Sequence, residues 1–342
     1  MKNIYLDFHT VITFTHVVII NLLTGITFTV AAQEYNTGSF TLSIDNDAFI
    51  GSDRGYTNGL FLKFNSNSVV AIEKDSPIIL KAVDTYLPFD KQADKGWGLT
   101  VGQQIWTPTD LEAPFEGEND RPYTGFLFIK ANIYEYSADS ANKYSLMLGG
   151  VGPDALGENL QTSIHQLIGS PKPEGWGRQI ENQSVFNFAY EGQKLLKRSV
   201  GFDKFYDVGL LARVNIGNYQ NEVALGSIIR WGDTLHESFA SVGVIPGNYI
   251  DPSVLSKSRA GHFYYLALEG RYRINDITID GARPEHLFDV HTEHWQTTIS
   301  AGTLYYEKSW GIAFSAIATT PDYEEDLRRY NATASFEIFW RI

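Results

Sequence analysis

From about residue 33 onward, apolar and polar side chains alternate with a period of two, in runs of about ten residues separated by polar or Gly-containing breaks. In one run Tyr206, Val208, Leu210, Ala212, Val214 and Ile216 share a face, and Asp207, Gly209, Arg213 and Asn215 lie largely on the other. Tyr264, Leu266, Leu268, Gly270 and Tyr272 repeat the pattern against Glu269 and Arg271, and Trp295, Thr297, Ile299, Ala301, Thr303 and Tyr305 repeat it again. In several runs aromatics stand at the ends and aliphatics in the middle, as two membrane–water interfaces would require. The pattern predicts strands near 37–46, 56–66, 97–107, 124–136, 142–151, 180–192, 204–216, 219–231, 261–274, 293–306, 309–319 and 329–342. About twelve strands, an even number, predict an all-β fold, a closed transmembrane antiparallel β-barrel. A soluble sandwich also alternates, but it has no use for so many Tyr and Trp on the apolar face of long strands.

The last run places Tyr330, Ala332, Ala334, Phe336, Ile338, Trp340 and Ile342 on one face, and Asn331, Thr333, Ser335, Glu337 and Arg341 on the other. It resembles the terminal strand of outer-membrane proteins, with Ile in place of the usual Phe. If both termini are periplasmic, the loops at 47–55, 108–123, 152–179, 217–218, 275–292 and 320–328 are external. Segments 67–96 and 232–260 then fall on the periplasmic side, where turns are normally short. They are expected either to carry small helices (Ile78 to Leu87 has helical spacing) or to hide further hairpins.

Ahead of the alternation, Lys2 precedes an apolar run from about Val11 to Val30 that ends in Val30-Ala31-Ala32-Gln33. Small residues at the last and third-last positions fit a signal peptide over 1–32, cleaved after Ala32, with the barrel over 33–342; an uncleaved anchor is the alternative. Past residue 32 no stretch of 18 apolar residues occurs, so no membrane-spanning helix is expected there. Cysteine is absent, which removes disulfides and thiol nucleophiles. The formal charge of −13 argues against nucleic acid, whose phosphates call for Lys and Arg. An acidic chain can still meet a phosphorylated lipid if divalent cations sit between them.

No G-x-S-x-G elbow occurs, and His236-Glu237 lacks the second His of a zincin. Three segments carry candidate chemistry. Asp45-Asn46-Asp47 closes the first strand, and Tyr56-Thr57-Asn58-Gly59 opens the second. Their carboxylate and carboxamide oxygens are hard ligands of the kind Ca²⁺ takes, although barrel rims are also rich in Asx turns. Phe40, Leu42 and Ile44 set the lipid phase of the first strand, and Asn46 continues it. A carboxamide there is costly unless it sits at headgroup level or meets a polar partner, which points to a site outside the wall. Asp120-Arg121-Pro122-Tyr123 presents a guanidinium that either binds phosphate or locks a turn. In the external loop, Leu156, Leu160, Ile164, Leu167 and Ile168 recur at helical spacing, with Pro153 near the start and Gly169 placed to end the helix. Gln161 and His165 are one turn apart on one face, and His is the side chain best suited to take a proton near neutral pH. A rival cluster, His286, His291, Glu293 and His294, has ligand types for a transition metal but no closed-site spacing.

Taken in order, Asn46–Phe49, Tyr56–Gly59, Asp120–Gly125, Gly152–Gly157, Gln161–His165 and Gly175–Gln179 resemble the motifs of the outer-membrane lipid A 3′-O-deacylase family. The motifs are spread over most of the chain. The resemblance implies a twelve-stranded barrel of the bacterial outer membrane that uses Ca²⁺ to hydrolyse an acyl ester of lipid A, between the wall and a loop helix. On that basis His165 matches the general base, Asn46 and Asp47 the pair that builds the calcium and oxyanion region, and Thr57 a required hydroxyl. Gln161, Glu174 and Trp176 match positions around the substrate, with Arg121 a further candidate contact; the family can carry Tyr where this chain has Trp176. Another lipid-modifying barrel enzyme, such as a phospholipase or acyltransferase, and a passive barrel or adhesin are the alternatives.

Overall fold

The computed structural model of the chain describes residues 38–50, 55–67, 93–114, 117, 119–201, 204–283 and 289–342. The expected export signal and the helical spacing at Ile78–Leu87 lie outside them. Among the described residues, twelve antiparallel strands close into a barrel. They are β1 (Gly38–Asn46), β2 (Gly55–Ser66), β3 (Asp94–Thr107), β4 (Thr124–Tyr136), β5 (Ser140–Val151), β6 (Gln183–Gly201), β7 (Lys204–Gly217), β8 (Gln220–Gly232), β11 (Gly261–Asp276), β12 (Trp295–Tyr306), β13 (Trp310–Thr319) and β14 (Asn331–Arg341). β14 closes on β1, Trp340 opposite Phe40 and Ala334 opposite Asn46, so every barrel strand has two neighbours and no edge is left open. Each of the twelve expected strands is present. β6 runs past its expected end because the register shifts between Leu195 and Lys197, a bulge that breaks the local alternation.

The alternation sorts the two faces as a membrane requires. Leu62, Val101, Ile129, Leu225 and Leu268 are exposed on the outside. Near the end that holds Gly38 and Ile342, Trp231 stacks on Tyr264 at 6.0 Å and Tyr305 meets Trp310 at 5.9 Å. Toward the opposite end, Tyr272 meets Trp295 at 4.9 Å, which gives the second aromatic girdle. Charged inward positions of β7, β8 and β11 are paired. Arg213 binds Glu269 at 2.7 Å and also Glu222, Arg273 binds Glu222 at 2.7 Å, and Arg230 binds Asp207 at 2.6 Å. Buried charges are tolerated only with such partners.

The segment 233–260 does not stay outside the barrel as a periplasmic loop. It folds into the lumen around a hairpin of β9 (Val242–Ile245) and β10 (Asn248–Ile250). Leu235, Val242, Val244, Ile250, Val254 and Leu255 pack there against inward-facing Tyr134, Leu211, Phe263, Tyr265, Tyr306 and Phe339. The hairpin turn is Pro246-Gly247, with Gly247 at φ 66°; a Cβ at Gly247 would sit 2.6 Å from the Phe61 ring, so only glycine fits. Strands this short carry no readable period, which is why alternation does not announce them.

Among the described residues two short α-helices sit at the end opposite Gly38 and Ile342. α1 (Gly157–Ile168) lies between β5 and β6, and the single turn α2 (Ile277–Asp280) follows β11. Gly169 caps α1 in the left-handed conformation at φ 75°, the role expected for it.

Candidate functional site

On β2 to β4, outward positions near the middle of the wall face lipid, but those near the end that carries α1 do not. Ile105 is fully buried, and Asn58, Thr57, Thr107 and Tyr123 are buried beside it, although strand phase turns Ile105 away from the lumen. α1 and the residues that follow it cover Ile105 and Tyr123. Ile105, Tyr123 and Trp176 form one cluster, with Leu160 of α1 and Leu111 packed against it.

The helix approaches the wall closely because glycine faces glycine. A Cβ at Gly125 of β4 would lie 3.1 Å from the backbone nitrogen of Gly157, and one at Gly157 would lie 2.7 Å from the Trp176 ring. Gln103 Nε2 on β3 donates to the Ala155 carbonyl at 2.6 Å, tying the turn before α1 to the barrel. Trp176 Nε1 donates to Gln161 Oε1 at 2.8 Å, and the indole packs on Tyr123 at 4.9 Å. Gln161 is thereby fixed; its Nε2 is buried without a hydrogen-bond partner among the described residues.

His165, one turn further along α1, is buried, and its Nδ1 lies 2.6 Å from the Pro171 carbonyl oxygen. A carbonyl only accepts, so Nδ1 carries the proton, and in the neutral ring Nε2 holds the lone pair. The chain reverses after Gly169 with Ser170 N bonding the His165 carbonyl at 2.9 Å, which brings Pro171 back over the ring. The arrangement can take a proton at Nε2 and keep the ring oriented while doing so.

The second group of candidates closes the β1–β2 rim. Asn46 pairs with Asn58 across the ladder, in the outward phase of Ile44 and Leu42. Its Oδ1 accepts from Ala48 N at 2.8 Å, an Asx turn of the kind expected at a rim. Asp47 is fully buried, and its amide donates to the Thr57 carbonyl at 3.3 Å. Thr57 is the extra residue of a bulge between Tyr56 and Asn58, and its hydroxyl meets that of Thr107 at 2.7 Å. A carboxylate, a carboxamide, a hydroxyl and nearby backbone carbonyls are hard oxygen donors, a set that fits Ca²⁺ better than a softer metal. Among the described residues no three carboxylates or imidazoles converge, so a cation here would rest largely on neutral oxygens.

Ile105 joins the two groups: it pairs with Asn58 on one side and packs on Trp176 on the other. Glu174 is half exposed and lies 3.5 Å from Lys172. Arg121 is fully buried, with Asp322 at 3.2 Å, the Thr278 carbonyl at 3.2 Å and the Thr278 hydroxyl at 3.1 Å, so its guanidinium clamps three external loops together. In the rival cluster His291 binds Glu325 at 2.7 Å and His294 Nδ1 bonds the Arg273 carbonyl at 2.7 Å, while His286 lies outside the described residues. Thr107, Gln103 and Ile105 were not singled out by sequence, because on a strand they read as ordinary wall positions.

A family model described as outer membrane protein LpxR matches residues 17–342. Among solved structures, LpxR from Salmonella typhimurium superposes with a TM-score of 0.74 at 16% identity, covering 89% of this chain and 100% of that one. A KdgM porin gives a TM-score of 0.38 at 8% identity, covering 89% and 99%. The translocator domain of the autotransporter NalP from Neisseria meningitidis gives 0.37 at 10% identity, covering 98% and 100%. No curated protein sequence matches the chain.

Proposed function

Because the chain belongs to the LpxR family of outer-membrane proteins, we propose that it is a lipid A 3′-O-deacylase of the bacterial outer membrane, hydrolysing an acyl ester with His165 as general base. The observation that carries the reading is the placement of His165. Its Nδ1 is committed to the Pro171 carbonyl, and its helix lies on the outside of the wall, at the outer end, where a leaflet lipid presents its ester linkages. A soluble substrate would have no reason to be met there.

In the reaction a water oxygen bonds to the ester carbonyl carbon as one water proton passes to His165 Nε2. The tetrahedral adduct then breaks its bond to the sugar oxygen, which takes the proton back, leaving a fatty acid and a free 3′ hydroxyl. Gln161, held by Trp176, has a buried amide hydrogen to offer an ester oxygen. Asn46, Asp47 and Thr57 would hold the calcium ion. When bound it supplies positive charge where oxyanion charge develops, without redox chemistry. Glu174, half exposed, would meet the substrate directly, and buried Trp176 would act on it through Gln161; the lipopolysaccharide partner would reach the site laterally through the membrane.

The test is release of the 3′ acyl group from purified lipid A by refolded protein, followed by mass spectrometry. His165→Ala should lower the rate on the order of 10²–10⁴ while leaving the heat-modifiable barrel intact. Gln161→Ala should do less, since it can position but cannot accept the proton. His294→Ala should leave the rate nearly unchanged. A dead His294 variant beside a working His165 variant would overturn the assignment.

A further inference from the structure

The lumen hairpin touches the barrel just behind the candidate site. Asp45 is the inward-facing neighbour of Asn46, and it is fully buried. Its Oδ2 accepts from the Tyr56 hydroxyl at 2.9 Å and from the backbone amide of Gly247, at the hairpin tip, also at 2.9 Å. Its backbone carbonyl accepts from Asn58 Nδ2 at 3.3 Å. One residue therefore ties the last turn of β1, the residue before the Thr57 bulge and the tip of the lumen hairpin.

The tie is reinforced on the same side of the barrel. Lys63 Nζ donates to the Gly247 carbonyl at 2.8 Å and to Glu337 at 2.6 Å, and Ile250 N donates to Glu337 at 2.9 Å. The hairpin is thus docked on β1, β2 and β14, the strands that flank Asn46. Strand ends at a barrel rim fray unless something holds them. Here the rim is also weakened by a bulge, which leaves Thr57 outside the ladder.

We propose that Asp45 is a positioning residue, through which the lumen hairpin holds Asn46, Asp47 and Thr57 in place on the opposite face of the wall. This rests on the reading of those residues as part of the reactive site, but the contact itself is testable without it. Asp45 never meets the substrate. It acts by coupling a rigid interior element to an exterior site across a single strand, charge-assisted at the carboxylate.

Three variants test it. Asp45→Ala removes the acceptor, Asp45→Asn keeps an acceptor for Gly247, and Gly247→Ala drives the tip off Phe61. Arg213→Ala, in the charge network of β7, serves as a control for general destabilisation. The first readout is hydrogen exchange of the Asp47 and Ala48 amides. Asp45→Ala and Gly247→Ala should speed it by about tenfold or more, Asp45→Asn by much less, and Arg213→Ala not selectively. The second readout is deacylation, where Asp45→Ala should lower kcat with little change in KM. Unchanged exchange at Asp47 and Ala48 in both Asp45→Ala and Gly247→Ala overturns the proposal. Faster exchange with no acyl release even from the unmodified chain upholds the coupling and instead removes the proposed function.

Discussion

Trp176 and Gln161 are joined by a buried hydrogen bond, indole Nε1 to carboxamide Oε1 at 2.8 Å, and this bond fixes α1 against the outer wall. Trp176→Phe keeps most of the packing on Tyr123 but leaves Gln161 Oε1 buried without that donor. Such a loss costs about 1–3 kcal/mol. We expect deacylation to fall while the barrel keeps its heat-modifiable migration, because α1 loosens and the wall does not. Equal loss of barrel stability and activity would mean that the pair supports the fold as a whole.

Calcium removal should abolish activity in the folded protein, and added Ca²⁺ should restore it, on the strength of the oxygen donors at Asn46, Asp47 and Thr57. Asp47→Ala should raise the calcium concentration needed for half-maximal rate. Full activity in excess chelator would take the metal out of the reaction.

Arg213 pairs with both Glu222 and Glu269 inside the lumen, far along the sheet from His165. Arg213→Ala would take the close partner from buried Glu269, leaving it Arg271 at 3.7 Å, while Glu222 keeps Arg273 at 2.7 Å; weakening a buried pair in this way costs up to about 3–5 kcal/mol. Thermal unfolding in detergent should show a clear drop, with activity per folded molecule preserved. An unchanged transition would mean that Arg271 and Arg273 alone satisfy those carboxylates.

The external loops after β11 and β13 are tied by His291 and Glu325, 2.7 Å apart. The hydrogen bond to Glu325, aided by its charge, raises the His291 pKa above its ordinary 6.5. Burial pushes Glu325 up, but hydrogen bonds from the His291 side chain and amide outweigh it and leave Glu325 below its ordinary 4.5. The His291 contribution is therefore complete below pH 6.5 and is lost as pH rises through its raised value. The Glu325 contribution is complete above pH 4.5 and is lost as pH falls through its lowered value. Exchange of the Glu293 and Glu324 amides, which bridge the loops, should be slowest between those limits after correction for intrinsic pH dependence. His291→Gln should flatten the alkaline limb; a limb that persists in that variant would assign it to another group.

Sequence alone determined the wall of this protein. A barrel strand meets lipid on one face and packed polar side chains on the other, so its period of two is written in consecutive residues, and twelve strands could be read from it. The same local logic placed Asn46 in the outward phase and α1 between Pro153 and Gly169, since helix spacing and caps are also short-range signals. The tertiary structure decided what those elements meet. The lumen hairpin has strands of four and three residues, and its contact with Asp45 spans 202 positions. Arg121 finds Asp322 across 201 positions, which turns a candidate phosphate contact into a loop clamp. Ile105 is an unremarkable wall residue until α1 covers it. Contacts of that range leave no periodicity along the chain, because they depend on how a closed sheet brings distant rims together.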